Sequence, residues 1–187
     1  MPAPGAELVL GGRPVDLRAR VLVAGVVPVP RFGRESEVLA TAAGVRAAGA
    51  DLVDVSLPPR LSGPVARSGD TPVSVRARSA EEALSAHEAG AQLILVPPDV
   101  APASGAGQVA IVVDDLAGLA AARDVAARRG LPLAVDATRW SGPEAVGREA
   151  AAVALGCRVI RTADVRRSRR VAEVMGALLA ARREEGA

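Results

Sequence analysis

At 187 residues, half of them hydrophobic, the chain is sized for one domain with a substantial core. Its formal charge is only +2 and all 23 of its basic residues are arginine, so charge alone does not imply nucleic-acid binding, and no lysine is present for a Schiff base or a phosphate loop. A single cysteine, Cys157, excludes an internal disulfide and a cysteine-based zinc site.

The elements follow in chain order. Glu7–Leu17 alternates around Gly11-Gly12 and predicts a small hairpin at about residues 7–17, placed to plug the end of a barrel. A strand over Arg20–Val27 stops at Pro28 and Pro30, which cannot donate to a central ladder. Glu35–Ala48 has a helical apolar stripe of Val38, Leu39, Ala42 and Val45, with acids in its first turn. Asp51–Ser56 is a strand, and Leu57–Thr71, rich in proline and glycine, reads as a loop without a helix.

Pro72–Ala77 is the next strand, and Ser79 caps a helix that starts with acidic residues. Gln92–Val96 is a strand, followed by a second bare connection over Pro97–Gly107. Strand Val109–Val113, helix Leu116–Arg129, strand Leu133–Ala137, helix Pro143–Leu155, strand Arg158–Arg161 and helix Ser168–Arg183 complete the chain. Four of these strands follow a glycine that closes a helical stretch, at Gly49, Gly90, Gly130 and Gly156. A glycine cap followed by a continuous apolar run is the pattern of parallel strands covered on both faces.

The expected fold is therefore α/β, an incomplete TIM-barrel-like (β/α) fold with about seven parallel strands, an N-terminal β-hairpin and five long helices, in a single domain over 1–187. An eight-fold barrel needs eight of each, typically across ~250 residues. The two bare connections would expose apolar strand edges, which predicts a homo-oligomer or a protein partner. No apolar run reaches the ~18–20 residues of a membrane span and no signal peptide is evident, which points to the cytoplasm.

Several segments resemble the dihydropteroate synthase (pterin-binding) family. They are Gly25-Val-Val-Pro-Val-Pro-Arg-Phe32, Ala48-Gly-Ala-Asp-Leu-Val-Asp-Val55, Pro72-Val-Ser-Val75, Leu131-Pro-Leu-Ala-Val-Asp-Ala-Thr-Arg-Trp-Ser-Gly142 and Arg158-Val-Ile-Arg-Thr-Ala-Asp-Val165. The similarity runs with gaps from about residue 7 to residue 181. It implies a pterin-binding barrel related to folate biosynthesis.

The departures narrow that implication. The family's metal-holding asparagine falls on Pro28, so its Mg2+ site is lost and no cofactor is expected. The strand-three aspartate falls on Arg76, strand four's asparagine on Leu95, the strand-seven lysine on Trp140 and the strand-eight histidine on Ala163. Asp54, Asp114, Arg139, Arg161 and Asp164 survive. Groups that act together on a pterin pyrophosphate are lost together, so the expectation is a shortened, degenerate member without independent synthase activity, working as a ligand- or partner-binding pseudoenzyme. The alternative is a small barrel enzyme acting on a different, phosphorylated small molecule.

The candidate catalytic residues are Asp54, Asp114 and Asp136, all at strand ends on the face where barrels do chemistry. Asp54 could equally pair structurally with an arginine, and the Asp114-Asp115 pair could bind a metal or supply a helix cap at Asp115. The candidate ligand- or anion-binding residues are Arg139, Arg161, Asp164, Arg166 and Arg167, the last two in the run Arg166-Arg-Ser-Arg-Arg170 that opens the final helix. The expected partners are a pterin or a phosphorylated small molecule and another copy or a complete synthase, with neither nucleic acid nor membrane. Convergent polar side chains at the barrel mouth would favour an enzyme. A mouth plugged by Trp140 and Leu57 would favour the pseudoenzyme.

Overall fold

The computed structural model describes residues 7–28, 34–55, 62–101, 105 and 107–185. An antiparallel hairpin, β1 (Glu7–Leu10) and β2 (Arg13–Asp16), precedes a closed parallel barrel. The ring runs β3 (Leu22–Val27), β4 (Leu52–Val55), β5 (Val73–Arg76), β6 (Leu93–Val96), β7 (Gln108–Val113), β8 (Leu133–Asp136) and β9 (Cys157–Thr162), and β9 pairs back onto β3. Around it lie α1 (Glu35–Ala47), α2 (Ser62–Arg67), α3 (Ala80–Glu88), α4 (Leu116–Arg129), α5 (Glu144–Ala154) and α6 (Val165–Glu185).

Strand periodicity divides the core in two. Leu22, Ala24, Leu52, Leu93, Leu95, Ala110, Val112, Ala134 and Val159 form one inner cluster, joined by Leu8, Leu10 and Leu17 of the hairpin segment. The hairpin thus closes the lower end of the barrel with leucine. The alternate strand residues, such as Val23, Val53, Ile94, Ile111, Val135 and Ile160, pack outward against the helices.

Local chemistry explains the helix ends. The Ser79 hydroxyl accepts from the Glu82 N–H at 3.1 Å to start α3, and Asp115 Oδ1 accepts from the Gly118 N–H at 2.6 Å to start α4. Asp115 is therefore the cap, which leaves Asp114 as the other half of that acidic pair. Gly130 ends α4 in the left-handed region at φ 66°.

Three expectations need correction. The connection 57–71 does contain a helix: α2 places Pro64 in its first turn, where a missing N–H costs nothing. The strand edges beside the connections are not open, because β4 pairs with β5 and β6 with β7 and the seven-strand ring closes. Self-association therefore cannot be argued from exposed edges. Finally, α6 begins at Val165 and not at Ser168, so the arginine run lies inside its first turns. Among the described residues of the second connection there is no helix. Val100 packs on the outer core there, and its carbonyl accepts from Arg129 Nη1 at 2.9 Å.

Candidate active site at the barrel mouth

The last inward-facing positions of four strands carry charged groups, above a layer made of Leu52, Ala134, Val159 and the buried Ser74. The period of two places Asp54 after Leu52, Arg76 after Ser74, Asp136 after Ala134 and Arg161 after Val159. These side chains meet. Arg161 Nε lies 2.9 Å from Asp54 Oδ1 and its Nη1 lies 2.7 Å from Asp136 Oδ2. From the other side of the barrel, Arg76 Nη1 approaches the same Asp136 Oδ2 at 2.5 Å. Arg76 also holds Asp114 by two bonds, Nη1 to Oδ1 at 2.8 Å and Nη2 to Oδ2 at 3.2 Å.

Hydroxyls complete the first layer. Ser74, in register with Asp54 on the neighbouring strand, donates to Asp54 Oδ2 at 3.0 Å. Thr138 gives both its N–H, at 3.1 Å, and its hydroxyl, at 2.6 Å, to Asp136 Oδ1. Burial works to raise the Asp136 carboxyl, but the Thr138 hydroxyl and the Arg161 and Arg76 guanidiniums outweigh it and hold the group below its ordinary range. Asp136 is thus an ionised acceptor rather than a proton donor. The five charged side chains carry three negative and two positive charges, with Asp54 fully buried and Asp114 71% exposed.

The structure brings together the three candidate carboxylates Asp54, Asp114 and Asp136 with Arg161. It does not bring Arg161 to the other candidate anion-binding arginines. Arg139 is exposed in the turn after β8. Arg167 pairs with Glu149 Oε1 at 2.9 Å, and its N–H donates to Asp164 Oδ1 at 3.1 Å, which makes Asp164 a cap for α6. Arg169 turns to Asp51 at 2.9 Å, below β4. Arg166 and Arg170 line an outer groove between α5 and α6 with Val146, Val171 and Val174.

Three participants carried no clear sequence signal. Ser74 and Thr138 are neutral hydroxyls at strand ends, and Arg76 reads in sequence as a charge reversal without showing what it would pair with. Glu149 is fully buried on α5, where Oε1 accepts from Arg167 and from the Ser168 hydroxyl at 2.9 Å while Oε2 has no hydrogen-bond partner. Burial pushes its carboxyl up, against the pull of Ser168 and Arg167. A glutamate inside the apolar stripe Ala145, Ala152, Val153 was its available signal.

Trp140 does not plug the mouth. It packs in the outer core with Val135, Ala145 and Ile160, outside the barrel wall. Leu57 lies outside the described residues. His87 is exposed on α3, with Nδ1 3.4 Å from the Ala91 carbonyl. Cys157 is buried, and burial pushes its thiol up to about 12.

No protein-family model and no curated sequence matches the chain significantly. Solved structures do match. A Yersinia pestis dihydropteroate synthase bound to a pterine–sulfa conjugate superposes with a TM-score of 0.67 at 17% identity, over 94% of this chain and 99% of that one. The Xanthomonas albilineans enzyme in complex with 7,8-dihydropteroate gives 0.66 at 18% identity, over 94% and 99%. The Thermus thermophilus enzyme gives 0.66 at 21% identity, over 92% and 98%. The chain therefore has a dihydropteroate synthase-like fold.

Proposed function

We propose that this chain is a pterin-binding-family barrel related to folate biosynthesis that has no synthase activity of its own and serves as a ligand- or partner-binding relative of the synthases. The observation that carries this reading is the ion-pair chain Asp54–Arg161–Asp136–Arg76 across the barrel mouth. A pterin is recognised through acceptors for its amino and lactam edge. Here Asp54 and Asp136 already accept from two guanidiniums and two hydroxyls. A pterin entering among them would have to strip buried charges of their partners, which is costly.

In this reading the described residues at the family's cation position argue against a divalent cation. Pro28, which follows β3, has no side-chain oxygen, and both carboxylate oxygens of Asp54 accept hydrogen bonds from protein groups. Among the described residues no cluster of His, Cys, Asp and Glu is arranged to hold a metal ion.

The test is direct. Purified protein supplied with a hydroxymethylpterin pyrophosphate, p-aminobenzoate and Mg2+ should form no dihydropteroate, and turnover would overturn the reading. A partner role, with a second copy or a complete synthase, is supported by the exposed Val146, Val174 and Leu178 along α5 and α6. A cytoplasmic location belongs to the same reading. Among the described residues no helix is long and apolar enough to cross a membrane.

One observation favours a second reading. The mouth is lined by convergent polar groups and is not sealed by Trp140, which suits a small barrel enzyme acting on a phosphorylated molecule through Asp54, Asp114, Asp136 and the arginines. A thermal-shift screen with pterins, folates, p-aminobenzoate and sugar phosphates separates the two. Stabilisation by a sugar phosphate that the protein then converts would establish the enzyme.

A further inference from the structure

Arg76 has two unlike neighbours. On its inner side Asp136 is 7% exposed and fixed by Thr138 and Arg161 as well. On its outer side Asp114 is 71% exposed, and two N–H···O bonds, one from each Nη to a separate carboxylate oxygen, join it to the guanidinium. The inner contact therefore anchors the arginine at a set position. The outer contact is an exposed pair, and exposed pairs contribute little and exchange with solvent and solutes readily. Fork geometry of this kind matches any planar pair of anionic oxygens, whether they belong to the chain or to a solute.

Charge supports the same reading. Without Asp114, the network of Asp54, Asp136, Arg161 and Arg76 is balanced at two carboxylates to two guanidiniums. A monoanionic group that took the place of Asp114 in the fork would keep three negative charges facing two positive ones. Asp114 sits in the short link between β7 and α4, beside the cap Asp115, so it can leave the fork without unwinding either element.

We propose that the outer edge of the Arg76 guanidinium is a binding site for a carboxylate or phosphate group of a small ligand at the barrel mouth, with Asp114 as the internal group that holds the site between ligands. The inference rests on reading the mouth as the binding face. It differs from a pterin site, since it calls for an anionic group where a pterin edge would need acceptors.

The experiment is a titration of 15N-labelled protein at low ionic strength with inorganic phosphate in one arm and benzoate in the other, following backbone amide shifts. Shifts should centre on Ala77 and on residues 114–116, and the arm with the tighter midpoint names the oxyanion. Asp114→Ala removes the internal competitor and should tighten binding about three- to fivefold, the worth of an exposed ion pair. Arg76→Gln should abolish it, and Arg166→Ala should leave it unchanged. The proposal is overturned if neither anion binds, if Asp114→Ala binds no tighter than wild type, if Arg76→Gln still binds, or if the shifts centre on residues 165–170. Failure here leaves the absence of synthase turnover untouched, and synthase turnover would leave this titration untouched.

Discussion

Arg161 and Asp54 lie 107 residues apart in sequence and meet inside the barrel with 2.9 Å between Nε and Oδ1, both almost inaccessible to solvent. Arg161 holds Asp136 as well, so this one guanidinium serves two buried carboxylates. Arg161→Met should destabilise the protein by about 3–5 kcal/mol, the usual cost of removing one partner from a buried ion pair. Urea unfolding at neutral pH measures this. A loss below about 1 kcal/mol would mean that water or rearranged side chains neutralise Asp54 and Asp136.

Glu149 should make stability depend on pH in the opposite sense from Asp136. A carboxyl raised in the folded state favours the protonated form there, so its penalty is absent below the ordinary value near 4.5 and grows as pH rises through the raised folded value. Asp136, held low, instead contributes stability that disappears as pH falls through its folded value. Relative to wild type, Glu149→Gln should therefore gain stability as pH rises from the ordinary carboxyl value of 4.5 toward about pH 7.5, whatever the loss of the Arg167 contact costs at every pH. Parallel unfolding curves across that range check it, and a difference that grows on acidification would show the sign to be wrong.

Gly25 and Gly44 should respond in opposite directions to alanine. A Cβ on Gly25 would come within 2.5 Å of Val45 Cγ1 and 2.6 Å of Val165 Cγ2, where α1 and α6 close on β3. Overpacking of this kind costs about 1–3 kcal/mol. Gly44 lies within α1 with open space around it, so Gly44→Ala should stabilise by about 0.5–1 kcal/mol through helix propensity. Thermal unfolding of the two variants side by side reads both signs.

Cys157 should resist thiol reagents in the native protein at about pH 8. Its thiol is buried, raised to about 12, and donates to the Val159 carbonyl at 3.1 Å. Labelling with a maleimide should proceed only at the rate of unfolding and become immediate in denaturant. Rapid labelling of folded protein would place the thiol at an accessible surface.

The barrel was legible because its punctuation is local. Gly49, Gly90, Gly130 and Gly156 each adopt positive φ between a helix and a strand, and apolar runs follow them. Part of what escaped was local too. Pro64 conceals α2 because the residue that breaks a helix interior also suits its first turn. Closure of the ring is a long-range fact that no segment announces. At the mouth, Asp54, Asp114, Asp136 and Arg161 could be picked out as polar residues at strand ends. That Arg161 points inward to two of them, away from the arginines of α6, follows from strand register and could not be read from the run at 166–170.

The ring is sealed by pairing its first strand with its last, Leu22–Gly25 against Val159–Thr162. During synthesis, then, β3 leaves the ribosome long before the strand that completes it. Until β9 emerges the growing chain carries two unpaired strand edges, a template for wrong association. The same delay withholds Arg161 from Asp54 and Asp136. Sealing the wall and neutralising the mouth are consequently one late event, and a message truncated ahead of Cys157 would yield neither.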